Sequence, residues 1–485
     1  MVNKITPNYS DINRNNNQFG MKRTLLILTY LFGMQLGAQE TIPKLTGKVK
    51  ISIEQGTIEA DLSLRDIPQI KDYFIRLNSG LNILNFKTTE PNDFLLGFSV
   101  AHNDTLSYGE TKAYFFPDDT GKGKFLPNEV QVKYVGKYPV VKDTLNNYSR
   151  KDWRGNIAFN HNSIRADGLQ SSWYPVLYDI TNDKTYDNLK YDVEIDCQDC
   201  TTLYINGNKP VNAQNYRFKS DIARELTLFC GNFDFSAVGD TYVLNPSFTS
   251  EQINEFTNLI NSYKDFYTHK LNIPFDQAVT FVETTPTSKK DGWMFVSYPS
   301  IFSIGWGEMG LISLFDPKIQ NWYRPFIAHE LGHYYFGTYK VLNSELGDMM
   351  TEGFAEFLSL ELTKAMMGAE VYDKKISDKI EALKDFDPIS MGKIEGESQY
   401  GNRELYVYYY APIVFTAIKK EIGEEKMWKW LITILTTETN FTNYNFLIQT
   451  LDTIVNDQQL TRSVERQYLT SDNSLKNAIA KLTMK

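Results

Sequence analysis

Two histidines flanking a glutamate, in His329-Glu330-Leu331-Gly332-His333, carry the first chemical signal in this chain. Four residues is just over one turn of α-helix, so both imidazoles project from one face and can share a metal ion. Glu330 lies about 100° round the same turn, away from the metal but within reach of a water beside it. The pattern points to metal-promoted hydrolysis, and the chain has only five histidines from which to build it. A zinc ion that activates water needs a third protein ligand and an open fourth position. Glu352 fits that need, with eighteen residues between it and His333. Glu356 follows four residues later on the same helical face, where a carboxylate can accept the second ring N–H of His329. The expected cofactor is one Zn2+ held by His329, His333 and Glu352.

Two helices must carry these groups. The first is expected to open at Pro325, bury Phe326, Ile327 and Leu331, and close at Gly337. The second is expected to follow Gly347, with Asp348 as its N-cap, and to run to Ala365. Read together, HELGHYYFG and, at this spacing, TEGFAEF resemble the alanyl aminopeptidase and leukotriene hydrolase family of gluzincins. The resemblance implies a glutamate as third ligand, here Glu352, and a tyrosine that donates to the developing oxyanion. Counting back from Glu421-Ile422-Gly423 selects Tyr408, with Tyr406 and Tyr409 as rivals; Tyr410 and Ala411 depart from the family's lysine and glycine. It also implies a substrate-binding edge strand upstream, where the family has Gly-Ala-Met-Glu-Asn. This chain has Gly305-Trp306-Gly307-Glu308-Met309-Gly310, and the ungapped glutamate position holds Gly307. An irregularity between the two glycines would turn Glu308 into the cleft to pair with a substrate ammonium, on an edge strand from Gly305 to Leu314.

Before the site, residues 1–20 are polar and Asn-rich, and Met21-Lys22-Arg23 opens an apolar run from Thr24 that ends in Leu36-Gly37-Ala38. That is the pattern of an export signal, with Met21 as the expected start and cleavage after Ala38. The apolar run is too short for a membrane span, which needs about twenty residues. An exported protein, periplasmic or extracellular and without a transmembrane span, is expected. The formal charge is −9, and residues 1–38 hold four cations and one anion, leaving about −12 on the remainder. Nothing in that balance recommends nucleic acid as a partner.

From Thr41 to Phe235 strand patterns dominate. Val49, Ile51 and Ile53 alternate with polar residues, Gln55-Gly56 can turn, and Ile58 to Leu64 alternate again; Tyr73 to Leu77 and Leu81 to Phe86 repeat the device around Asn78-Ser79-Gly80. Cys197 and Cys200 can bridge across Gln198-Asp199, or either can pair with Cys230, leaving one thiol over. Asn245-Pro246-Ser247 marks a break, and Thr249 with Gln252 forms a capping box for a helix whose Ile253, Phe256, Ile260 and Tyr263 share a face. Strands are expected at Val279–Val282, Trp293–Ser297 and Leu311–Leu314, and beyond Glu352 helices at 374–386, 405–421, 425–436 and 444–455.

The chain thus reads as multidomain: a leader at 1–38, an all-β sandwich or saddle at 39–245, and an α+β thermolysin-like zinc peptidase domain at 246–485 with a helical C-terminal half. That length leaves no room for the further helical domain of larger family members. The resemblance implies a zinc metallopeptidase acting on peptides, an aminopeptidase that removes N-terminal residues. A zinc endopeptidase, or an inactive peptidase-fold binding protein, are the readings left open.

Overall fold

The computed structural model describes residues 41–88, 94–101, 111–141, 157–182, 184–284, 293–304 and 310–484. The expected export leader and Glu308 lie outside these described residues. Strict alternation shapes the first half: Leu45, Val49 and Ile51 are buried on one strand, and Ile58, Ala60, Leu62 and Leu64 on the next. The two pair antiparallel around Gly56, whose φ of +66° suits a residue without Cβ. They lie inside a seven-stranded sheet ordered Asn215–Glu225, Asn188–Cys197, Lys44–Ser52, Thr57–Arg65, Val130–Lys137, Leu81–Thr88 and Phe94–Leu96. Two five-stranded sheets, one containing Tyr73–Asn78 and the other Leu228–Gly231, close over the same apolar core.

One expected hairpin is not a hairpin. Tyr73–Asn78 and Leu81–Thr88 lie in different sheets, because the buried Asn78 turns the chain across the core. Its amide donates to the carbonyl of Ser171 at 2.8 Å, and its side-chain oxygen accepts from Gly80 N–H and the Tyr138 hydroxyl, both at 3.0 Å. The cysteine alternatives resolve as a Cys197–Cys200 disulfide, with Cys230 a buried free thiol that burial pushes up to about 12.

The fourth sheet crosses the expected boundary at 245/246. The hairpin Phe235–Val238 and Thr241–Leu244 precedes Asn245, yet its second strand pairs in parallel with Val279–Glu283, which continues into Ser300–Ile304 and Trp293–Ser297. Leu311–Phe315, expected as a strand from Leu311 to Leu314, is instead a 3₁₀ turn. Glu283 explains it: the carboxylate accepts the Leu311 N–H and the Ser247 N–H and hydroxyl, and a Cβ on Gly310 would fall 2.0 Å from Glu283 Oε1.

Helix α1 (Ser250–Leu271) carries the Thr249–Gln252 capping box and buries Ile253, Phe256, Ile260 and Tyr263 against this sheet. Helix α2 (Gln320–Gly332) begins five residues before Pro325, since the Asp316 carbonyl takes the Gln320 N–H at 2.8 Å; Pro325 is interior rather than first. It ends at Gly332 in tighter turns, and Gly337 (φ +117°) closes those turns rather than the helix. Helix α3 (Gly347–Met366) starts one residue earlier than expected, with Asp348 inside its first turn, not at the cap. Helix α4 (Ala369–Ala382) lies earlier than the expected 374–386 because Gly368, at φ +93°, starts it. A short helix, Arg403–Leu405, runs through a π turn at Tyr406–Tyr410 into α5 (Ala411–Ile422). Helices α6 (Glu424–Thr436), α7 (Tyr444–Val455), α8 (Gln458–Val464) and α9 (Ser474–Thr483) complete the described chain, and no helix among the described residues is long and apolar enough to cross a membrane.

Helix α3 packs against α5 at Gly353, where an added Cβ would meet Ala411 Cβ at 2.8 Å and Phe415 Cε2 at 3.2 Å. In an open helix Gly→Ala would stabilise by about 1 kcal/mol. Here Gly353→Ala is expected to cost about 1–3 kcal/mol through overpacking. Thermal unfolding that rose in midpoint would show that the two helices separate freely.

Candidate metal centre

His329 and His333 stand on the last turn of α2 and at its C-cap, facing α3. The helices approach closely because Gly332 lacks a side chain: a Cβ there would lie 3.1 Å from Ala355 Cα. Ser359 of α3 also donates its hydroxyl to the Pro325 carbonyl. Glu352 therefore reaches both rings. Its Oε2 lies 3.2 Å from His329 Nε2 and 3.3 Å from His333 Nε2, and the donor atoms of the three residues all fall within 4.8 Å of one another.

The second nitrogen of each ring is occupied. His329 Nδ1 faces Glu356 Oε2 at 2.9 Å and His333 Nδ1 faces the Phe336 carbonyl at 3.2 Å, so each ring presents its Nε2 to Glu352. Two imidazole nitrogens and one carboxylate oxygen are a donor set that suits zinc. The electrostatics agree with a cation site. Burial opposes charge on His329, but hydrogen bonds to Glu352 and Glu356 push the ring up to about 10. Burial likewise opposes charge on Glu352, yet His333 and His329 hold it well below the usual carboxylate range.

Glu330 is 6% exposed and makes no hydrogen bond or ion pair with the described residues, although it lines the same cavity as the histidines. Burial raises its carboxyl, against the nearby His329 and His333. That combination, unbonded, raised and open to the cleft, suits a group that takes and returns a proton.

A π turn sets the surroundings of the three tyrosines. Pro412 has no N–H to give the Tyr408 carbonyl and its ring crowds that carbonyl, so the helix widens and Ala411 N–H bonds back to Tyr406. Lys379 fills the gap, donating to the Tyr408 carbonyl at 2.7 Å. Tyr408 and Tyr409 both line the cavity, and the Tyr408 ring lies 5.6 Å from that of His329. Tyr406 spends its hydroxyl on the Ile389 carbonyl at 2.9 Å, and Tyr409 lies against Lys379, 4.7 Å from ring centre to ammonium.

Arg403 was not marked by any motif, because its partners lie over fifty residues away. It clamps Asp348 through two nitrogens, with Nε at 2.8 Å, and its Nη2 lies 3.2 Å from Glu352 Oε1, the oxygen turned away from the histidines. Its guanidinium also sits 5.7 Å from the Tyr408 ring centre. Lys379, paired with Glu356 Oε1 at 2.7 Å, does for Glu356 what Arg403 does for Glu352. Both are charge-assisted contacts that fix which carboxylate oxygen is free.

No protein-family model matches the sequence, and no curated protein matches it. Solved structures do. An M1 zinc metallopeptidase from Deinococcus radiodurans, a mutant bound to a Tyr-Ser-Ala substrate, matches with a TM-score of 0.57 at 10% identity, over 89% of this chain and 94% of that one. Yeast LTA4 hydrolase in complex with bestatin also gives 0.57, at 11% identity, over 88% of this chain and 67% of that one. The likeness is one of fold: an N-terminal β-sheet region followed by a helical domain, as in the M1 zinc metallopeptidases, with the His329, His333 and Glu352 group present.

If Arg403 orients Glu352, Arg403→Ala is expected to weaken zinc binding about 10- to 100-fold. Competition with a chelator measures this, and a wild-type affinity would show that Glu352 is held without the arginine.

Proposed function

We propose that this protein is an exported zinc metallopeptidase that removes N-terminal residues from peptides. The observation that carries the reading is the convergence of His329 Nε2, His333 Nε2 and Glu352 Oε2 beside a Glu330 carboxylate that bonds to none of the described residues. His329, His333 and Glu352 would hold the zinc. Zinc bound there supplies Lewis acidity, polarising a peptide carbonyl and making water acidic enough to deprotonate near neutral pH. Glu330 takes the proton from the attacking water and returns it to the leaving amine nitrogen as the C–N bond breaks. Tyr408 donates its hydroxyl to the oxygen that gains charge in that attack. Burial keeps this hydroxyl protonated, well above the usual tyrosine range.

Two carboxylates of the β region, Asp187 and Glu225, line the cavity of about 1340 Å³ that also holds Glu330 and Tyr408. Burial and the neighbouring Asp167 and Asp187 push Glu225 up to about 8. Raised so far, Glu225 is largely uncharged at neutral pH, and Lys184 and Arg224 line the same cavity; recognition of a free α-ammonium is therefore assigned to Glu308, as the resemblance implies. Export is supported by the leader pattern and by the Cys197–Cys200 disulfide, a bond at home outside the reducing cytosol.

Glu330→Gln is expected to retain zinc and lose turnover by about 10²- to 10⁴-fold, since an amide cannot accept the proton. Metal analysis beside a peptide assay tests both halves, and full turnover in this variant would remove Glu330 from the reaction. One peptide, free and N-acetylated, tests the exopeptidase reading. Cleavage of the free form alone is expected, whereas equal cleavage of both would leave an endopeptidase.

A further inference from the structure

Helix α4 forms a wall of the cavity with two lysines one turn apart, Lys375 and Lys379. Lys379 is fully engaged. Its ammonium pairs with Glu356 and donates to the Tyr408 carbonyl, and it rests against the Tyr409 ring. Lys375 is partly buried on the same wall, yet forms no hydrogen bond and no ion pair with the described residues.

Among the described residues no carboxylate pairs with it. Glu356, the carboxylate whose charge acts on it most strongly, already gives one oxygen to Lys379 and the other to His329. Asp378 pairs with Lys374 on the outer face of α4. Arg403 is matched by Asp348 and Glu352, and Glu404, which also lines the cavity, is exposed to solvent. An ammonium withdrawn from water without a counter-ion is unfavourable, and a ligand that brings an anion relieves that cost.

Resting on the peptidase reading above, we infer that Lys375 binds a carboxylate of the substrate and makes it a determinant of specificity. A peptide whose scissile bond lies beside Glu330 and Tyr408 has the α4 wall within the same cavity for its C-terminal side. The carboxylate is either the free C terminus of a short peptide or an acidic side chain, and both offer Lys375 the same charge-assisted contact.

Binding and turnover together test this. Zinc-loaded Glu330→Gln protein, which binds without cleaving, is titrated calorimetrically with Leu-Gly-Gly, its C-terminal amide, and the amidated pair Leu-Glu-Gly and Leu-Gln-Gly. At least one carboxylate peptide should bind about tenfold more tightly than its neutral partner. The free acid over its amide identifies the C terminus, and Leu-Glu-Gly over Leu-Gln-Gly identifies a side chain. Adding Lys375→Gln should bring the ratio near one, and adding Lys375→Arg should keep it. Ratios of one in the Lys375 protein, or a ratio that survives Lys375→Gln, would overturn the inference. Wild-type turnover of the same peptides separates the two readings. Cleavage without any carboxylate preference in binding sinks only the Lys375 role; a Lys375-dependent preference with no cleavage sinks only the peptidase.

Discussion

The site depends on how closely α2 can lie against α3. Two side chains that are missing permit it: the hydrogen of Gly332 faces Ala355, and on α3 the hydrogen of Gly353 faces Ala411 of α5. Helix α3 is thus gripped on two sides, and Glu352 and Glu356 sit on the face turned to α2. Two carboxylates could not otherwise approach two imidazoles at 2.9 to 3.3 Å from a different helix. Packing decides this geometry, because the charged groups alone would take up many arrangements.

Once close, these groups are stable only as a network. Burying a lone carboxylate is costly, and each here has both oxygens assigned. One chain of opposite charges runs from Asp348 through Arg403 to Glu352 and the two histidines; a second runs from His329 through Glu356 to Lys379 and the Tyr408 carbonyl. They meet at His329. Removing a member of either chain strands a buried charge, so the neighbours of the histidines matter almost as much as the histidines. Glu330 stands outside both chains, bonded to none of the described residues.

What could be read from the sequence follows from the range of the interaction. His329, Glu330 and His333 share one helical turn and Glu352 and Glu356 another, so spacing alone assigned each group to a face. Tyr408 was harder, because a π turn breaks the periodicity that ranks it against Tyr406 and Tyr409. Arg403 and Lys379 left no mark, since nothing local distinguishes a basic residue that meets a carboxylate fifty or twenty positions away. Alternation found the first hairpin but misread two segments. Around Asn78 a buried amide carries the chain between sheets, and at Leu311 the Glu283 carboxylate imposes a turn on residues that look like a strand. The shared sheet across 245/246 was hidden for the same reason: parallel pairing joins segments far apart in the chain.

Counted in codons rather than in ångströms, the π turn before Pro412 is one residue of surplus. Deleting any single residue between Tyr406 and Tyr410 would swing the side chains on either side about 100° relative to one another. The length of this stretch is therefore as much a part of the site as the tyrosine it displays. Homologues aligned by matching tyrosines, without counting residues to the proline, would be credited with the wrong ring.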